Sequence, residues 1–174
     1  MKTSHWKNKK INLSFIVTKY SKMALLIFLG FFYSLNLSSQ TTDVKKKALM
    51  EFDKNSQKFL EKGTIIGSSE AFIGDLNADG KKDAVVFYVL SPKEGGNALM
   101  GQGAVVYINN GSSLKELTVF KPDFTFHIKE IANNKIHIIK SEYAKKDNPG
   151  WPSIETHKYY IINSQNKLQE SATY

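Results

Sequence analysis

Oxygen-bearing side chains recur at alternate positions of one short segment, residues 75–83. At positions 1, 3, 5 and 9 of this segment stand, in order, Asp75, Asn77, Asp79 and Asp83. A tightly wound loop can point such alternate side chains inward, and Gly80 at position 6 permits the sharp turn. Calcium takes about six to eight hard oxygen ligands, whereas transition metals prefer His or Cys. The spacing therefore predicts a calcium site, with the carbonyl oxygen of Lys81 at position 7 as a further ligand.

Two kinds of calcium loop can be compared with this segment. An EF-hand has a bidentate glutamate at loop position 12 and continues into a helix, but position 12 here is Val86, within the strand-like run 84–90. The stretch 72–86 instead resembles the strand-loop-strand calcium motif of FG-GAP repeats, which occur in integrin-type β-propellers and in exported bacterial proteins. The resemblance implies metal ligation by Asp75, Asn77, Asp79 and Asp83.

The resemblance is local. One copy of the motif is present, and Ala78 stands where the family often has glycine. A propeller needs at least about four similar blades, and the sequence has no internal repeat. We therefore expect the loop without the propeller. The alternative is an Asx-rich turn that holds no ion.

The residues around the loop predict an α+β fold. Residues 40–62 carry apolar side chains at helical spacing, with Thr42 or Asp43 placed to cap the helix and Gly63 placed to end it. We expect this amphipathic helix at the N-terminus of the mature domain, packed on the β-rich remainder, residues 63–174, which contains the calcium loop.

Short apolar runs separated by turn signals predict the strands. These runs are residues 71–74, 84–90, 104–108, 114–120, 124–131, 136–141 and 154–162. Residues 84–90 and 104–108 are apolar on both faces, so we expect central strands covered on each side, with the helix on one side. Tight-turn residues such as those at 110–111 indicate a mainly antiparallel β-meander sheet of about six to seven strands.

A second turn signal predicts a register. If Asn133 and Asn134 are the two residues of a hairpin loop, then Glu130 faces His137 and Ile128 faces Ile139. Each of the histidines after residue 39 lies within an alternating strand pattern and outside any two-ligand metal spacing. Surface or cross-strand roles are therefore expected for them.

The first 39 residues have the pattern of a signal peptide. Six lysines and no acid occupy residues 1–22, the apolar run 23–37 follows, and Ser38 and Ser39 close it. The run is shorter than the roughly 20 residues that cross a bilayer. An uncleaved membrane anchor is the alternative. Cleavage would leave a periplasmic or secreted protein with no membrane attachment.

Charge argues against a nucleic-acid partner. The formal net charge is +8, but six of the 24 basic residues lie in the leader, which leaves 18 lysines against 16 acids. The chain has no arginine for bidentate contacts with phosphate or guanine. It also has no cysteine, so its stability must come from its core or from a metal.

No catalytic motif appears, and two functions remain open. The first is a non-enzymatic domain that binds a protein or a cell-surface glycan, for example an inhibitor or immunity protein. Trp151, in a loop between two prolines, is its candidate contact residue, although a tryptophan more often caps its own core. The second is a hydrolase or a hydrolase accessory with Asp123, Glu142 or Glu155 in an acidic cleft.

Export can be tested at the N-terminus of the protein. Protein recovered from its host should begin near Gln40 or Thr41, because small residues end the apolar run just before them. Intact-mass measurement or N-terminal sequencing gives the cleavage site. Recovery of chains that begin at Met1 from a washed membrane fraction would instead establish the anchor.

Overall fold

A computed structural model describes residues 40–96, 98–148 and 150–172 of the chain. Residues 40–55 form helix α1, which is followed by a 3₁₀ turn at Ser56–Phe59. The strands are β1 Thr64–Gly74, β2 Asp83–Pro92, β3 Gly101–Asn109, β4 Leu114–Phe120, β5 Thr125–Ala132, β6 Lys135–Glu142, β7 Ile154–Ile162 and β8 Leu168–Ser171. The α+β prediction is confirmed. The predicted signal peptide, residues 1–39, lies outside the described residues, and none of the described helices is long and apolar enough to span a membrane.

The strands form two sheets, so the prediction of a single meander sheet is wrong. The first sheet has the order β1-β2-β3-β4 and the second β5-β6-β7-β8, and each is an antiparallel meander of four strands. Pairing stops at Phe120, and the segment 121–124, which contains Pro122, carries the chain into the second sheet. Two sheets form because β2 and β3 are apolar on both faces and one helix covers only one of those faces.

Helix α1 packs on one face of the first sheet. Val44, Ala48 and Phe52 recur every four residues and are buried. The ring of Phe52 stacks on Phe59 at 5.4 Å between centroids and lies 5.5 Å from Tyr88 of β2. The helix ends at residue 55, earlier than predicted, and the 3₁₀ turn brings Phe59 into this core.

A second core fills the space between the two sheets. Val85 and Val106 lie on the face of the first sheet opposite α1, and Phe126 and Ile138 of the second sheet belong to the same buried cluster. Leu76, from the loop that joins β1 to β2, also belongs to this cluster and is only 3% exposed. The predicted calcium loop therefore contributes a side chain to the core between the sheets.

The β5–β6 hairpin tests the predicted register. Asn133 and Asn134 both have positive φ, as the turn requires, and Glu130 pairs with His137 as predicted. The predicted pairing of Ile128 with Ile139 is wrong, because a register shift between Ile128 and Glu130 sets Ile128 opposite Ile138.

Two further strand predictions need correction. Strand β1 begins at Thr64, well before the apolar run at 71–74, because an edge strand can carry polar residues along its exposed positions. Strand β8 was not predicted, because its four residues are mostly polar. Its Leu168 pairs with Ile162 at the edge of the second sheet.

Candidate metal centre

The predicted calcium loop joins two neighbouring strands, since β1 ends at Gly74 and β2 begins at Asp83. Two of its residues have left-handed backbone conformations, Ala78 at φ 60° and Gly80 at φ 80°. This conformation favours glycine, and Ala78 adopts it at the position where the FG-GAP motif often has glycine. The backbone of the loop is therefore tightly wound, as the spacing of its oxygen-bearing residues predicts.

Asp75, Asn77 and Asp79 each accept one hydrogen bond from a backbone amide within residues 79–81. The Asn77 side-chain oxygen accepts from the amide of Asp79 at 3.1 Å, and an Asp79 carboxylate oxygen accepts from the amide of Lys81 at 2.9 Å. An oxygen of Asp75 accepts from the amide of Gly80 across the loop, also at 2.9 Å. The contacts of Asn77 and Asp79 are Asx-type turns, and the longer contact of Asp75 crosses the loop, so that all three side chains lie against the backbone of the loop.

The fourth predicted ligand, Asp83, has a structural role that the sequence did not indicate. Its side chain is fully buried, and its two oxygens accept from the amides of Leu76 at 2.8 Å and Asn109 at 2.9 Å. Burial raises the pKa of Asp83, and the nearby carboxylates of Asp79 and Asp75 raise it further, against the opposing effect of the two amides. Asp83 thus joins the loop to the end of β3.

The donor types in the loop are those that calcium prefers. One oxygen of Asp75, Oδ1, is buried and has no hydrogen-bond partner among the described residues, which is costly unless a cation or water satisfies it. Every donor in the set is a hard oxygen.

The nearest cation to the loop carboxylates is an ammonium group. Lys81 Nζ lies 3.1 Å from an oxygen of Asp79, and hydrogen bonds from the amide and ammonium of Lys81 lower the pKa of Asp79. Within the described ranges, no three His, Asp or Glu side chains already converge on one ion position. Calcium entry would therefore require the Lys81 side chain to leave Asp79. The role of the Lys81 carbonyl oxygen stays a prediction.

The loop also contacts the second sheet directly. The side-chain amide of Asn134, in the β5–β6 turn, donates to the carbonyl oxygen of Asp75 at 2.8 Å. Gly74 leaves no room for a side chain, because a Cβ there would lie 2.3 Å from a methyl carbon of Ile131. Together with the buried Leu76, these contacts place the candidate site at the junction of the two sheets.

Two of the acids considered for a hydrolase lie on opposite faces of the second sheet. Glu155 pairs with Ser141, whereas Glu142 pairs with Ile154, so the side chains of Glu142 and Glu155 lie on opposite faces of the second sheet. Asp123 is exposed in the connection between the sheets.

Two other carboxylates do line one cavity. The cavity has a volume of about 350 Å³ and lies beside the 3₁₀ turn, where Glu61 and Glu116 contribute to its lining. Each of these glutamates forms an ion pair with a lysine of the same cavity, Glu61 with Lys121 and Glu116 with Lys58. Neither therefore has the environment of a free acid or base.

Trp151 does not cap the core. Its side chain is 78% exposed, so the expectation that a tryptophan caps its own core is wrong for Trp151. Hydrogen bonds within the loop that carries Trp151 hold its backbone in place. Asp147 accepts hydrogen bonds from the amides of Ala144 and Ser153, which lower its pKa, and the Tyr143 hydroxyl accepts from the amide of Gly150 at 3.0 Å. An exposed indole is thus held on an ordered loop.

Comparison with known proteins gives no relative. The chain matches no family model, no curated protein and no solved structure. The resemblance to the FG-GAP motif therefore rests on residues 72–86 alone.

The structural role of Asp83 can be separated from any role in binding calcium. Asp83→Ala would leave the amides of Leu76 and Asn109 without their acceptors, so we expect a loss of about 2–4 kcal/mol of unfolding free energy even in chelator. Urea unfolding measures this loss. Asp123→Ala, at an exposed position, is the control and should change stability by less than about 0.5 kcal/mol. Equal unfolding free energies of the two variants would show that the two hydrogen bonds of Asp83 contribute nothing to stability.

Proposed function

We propose that this chain is an exported, calcium-stabilised β domain without catalytic activity that binds a protein or a cell-surface glycan. The observation that carries the calcium part is the buried Asp75 Oδ1, which has no hydrogen-bond partner among the described residues. It lies in a loop whose other oxygens follow the calcium spacing. The FG-GAP-like segment supports the same ion and, by resemblance, an exported protein.

Calcium would act on the fold through charge. Asp75, Asp79 and Asp83 lie close enough for the first two to raise the pKa of the third, so their charges repel one another in the folded state. A bound divalent cation supplies the opposite charge. Because Leu76 and Asn134 connect the loop to the second sheet, relief of this repulsion would stabilise the contact between the sheets as well as the loop.

The chemistry of the chain is consistent with work outside the cytoplasm. Extracellular calcium-binding modules bind the ion weakly, with dissociation constants of about 10⁻⁴ to 10⁻³ M. A chain without cysteine can gain from a bound ion the stability that other exported proteins gain from disulfides. Lys81 and Lys82 lower the negative potential of the loop, which also favours weak binding. An inhibitor or immunity-type protein directed at an exported toxin is one specific form of this proposal.

Calcium should raise the stability of the protein. With a dissociation constant on the order of 10⁻⁵ to 10⁻³ M, free calcium at 100 times that constant adds about 2.7 kcal/mol. Asp79→Ala should remove this increment while changing stability little in chelator, because the Asp79 carboxylate is exposed to solvent. Melting curves with calcium and with chelator measure both effects.

The exposed Asp123 provides the control for this experiment. Asp123→Ala should keep the whole calcium increment. If the melting curves of the unmodified protein superimpose at about 10 mM calcium and in chelator, the loop is an Asx-rich turn and the calcium proposal fails. Magnesium should stabilise less, because it demands near-ideal octahedral geometry and dehydrates reluctantly.

The binding part of the proposal rests on the surface around Trp151. Tyr143, Trp151 and Ile154 are all large apolar side chains that stand exposed, and they belong to one stretch of chain at the β6–β7 connection. Internal hydrogen bonds order this connection before any partner arrives, which reduces the entropy lost on binding. Tryptophan and tyrosine on an ordered loop are typical of binding hot spots.

Trp151→Ala tests this surface. Immobilised protein is exposed to a cell-envelope extract of the host, and any retained protein or glycan is purified and titrated against each variant. The substitution should weaken binding by about thirtyfold, as for a hot-spot residue worth about 2 kcal/mol. Met100→Ala, at a half-exposed residue of the β2–β3 connection, is the control and should bind normally. Equal affinity of both variants would remove Trp151 from the binding surface.

A further inference from the structure

Two histidines meet on the face of the second sheet that points away from the first sheet. His137 of β6 and His157 of β7 are diagonal neighbours, because His137 pairs with Tyr159 and His157 pairs with Ile139. Nε2 of His137 lies 2.7 Å from Nδ1 of His157. His137 is only 4% exposed, whereas His157 is exposed to solvent. Two ring nitrogens therefore face the same point from adjacent strands.

A carboxylate stands behind the buried histidine. Oε1 of Glu130, on β5, lies 3.5 Å from Nδ1 of His137, on the side of the ring opposite His157. Glu130 favours a proton on Nδ1 of His137, which leaves a lone pair on Nε2. His157 then donates its Nδ1 proton to this lone pair. With both rings neutral, this order gives the carboxylate a donor and places one hydrogen between the two rings.

We propose that His137 Nε2 and His157 Nδ1 form a binding site for a borderline divalent transition metal, of which zinc is the representative, with water in the remaining coordination positions. Imidazole is a ligand that suits zinc, copper and nickel. This site is separate from the calcium loop and does not rest on the proposed function.

The neighbours of His137 match those of a metal-ligating histidine. Such a histidine almost always donates its second ring nitrogen to a carboxylate or carbonyl. In His137 the carboxylate of Glu130 lies on that side, at an ion-pair distance of 3.5 Å from Nδ1 that must shorten to become a hydrogen bond. The ring of Tyr159 lies 4.5 Å from that of His137 and limits its rotation. Hence the buried ligand is held in place before the metal arrives.

The exposed histidine allows the metal to enter. Zinc-to-nitrogen bonds of about 2.0–2.1 Å in tetrahedral geometry separate two ligand nitrogens by about 3.3 Å. The rings must therefore part from 2.7 Å, and one of them must turn, because the two nitrogens point at each other in the hydrogen bond and must both point at the metal. His157 can make this adjustment because it is exposed. Its proton moves from Nδ1 to the solvent-facing Nε2, so metal binding to the neutral pair releases no net proton.

Zinc binding to the protein tests this proposal. Zinc chloride is titrated into the protein by calorimetry with about 20 mM calcium present, which nearly saturates the loop even at a dissociation constant of about 10⁻³ M, so that zinc does not enter it. One zinc ion should bind per chain, and His157→Ala should abolish this binding without loss of the folded state. Glu130→Gln should weaken it by about 10–100-fold, as expected for a partner of a ligand. Cobalt absorption spectra should show nitrogen ligation that His157→Ala removes.

His127 offers the matched control. It is an exposed histidine of the same sheet. His127 pairs with Ile139 of β6 from the β5 side, and His157 pairs with the same Ile139 from the β7 side. His127→Ala should bind zinc like the unmodified protein. Absence of zinc binding up to 1 mM, unchanged binding in His157→Ala, or equal losses in His127→Ala and His157→Ala would each overturn the site.

Discussion

The carboxylate of Asp83 accepts hydrogen bonds from two backbone amides, one in the loop between β1 and β2 and one at the end of β3, and the junction of these elements depends on this contact. One amide, of Leu76, orients the loop between β1 and β2. The other, of Asn109, fixes the end of β3. A buried carboxylate is costly, and its raised pKa reflects that cost. The compensation comes from what the contact holds in place: a wound loop whose Leu76 fills the core between two sheets.

The layered architecture follows from the central strands. Because β2 and β3 are apolar on both faces, the first sheet needs a cover on each side. The sequence predicted the helix on one side, but it contained no clear signal for the other. Residues 114–120 and 124–131 read as consecutive strands of one meander, and only Pro122 between them hints at the change of sheet. Whether two consecutive strands pair or separate depends on packing between distant residues, which periodicity does not report.

The candidate site was predictable in part. The spacing of four oxygen-bearing residues located the loop, and the structure shows its wound backbone with Ala78 and Gly80 in left-handed conformations. The sequence did not predict that Asp83 accepts hydrogen bonds from two backbone amides, because the fold and not the residue type determines which amides lie near it. The approach of His137 and His157 was missed for a related reason. The long connection between β6 and β7 sets no register, so sequence alone could not place the two histidines on adjacent positions.

The central claim is that one calcium ion binds the loop and acts on the junction of the sheets. Amide chemical shifts of ¹⁵N-labelled protein during a calcium titration test it most directly. We predict saturable shifts at the amides of Gly80 and Lys81, within the loop, and at the amide of Leu76, which reports the contact between the sheets. The amide of Trp151, in a different loop, should not move. Unchanged loop amides at 10 mM calcium would contradict the claim.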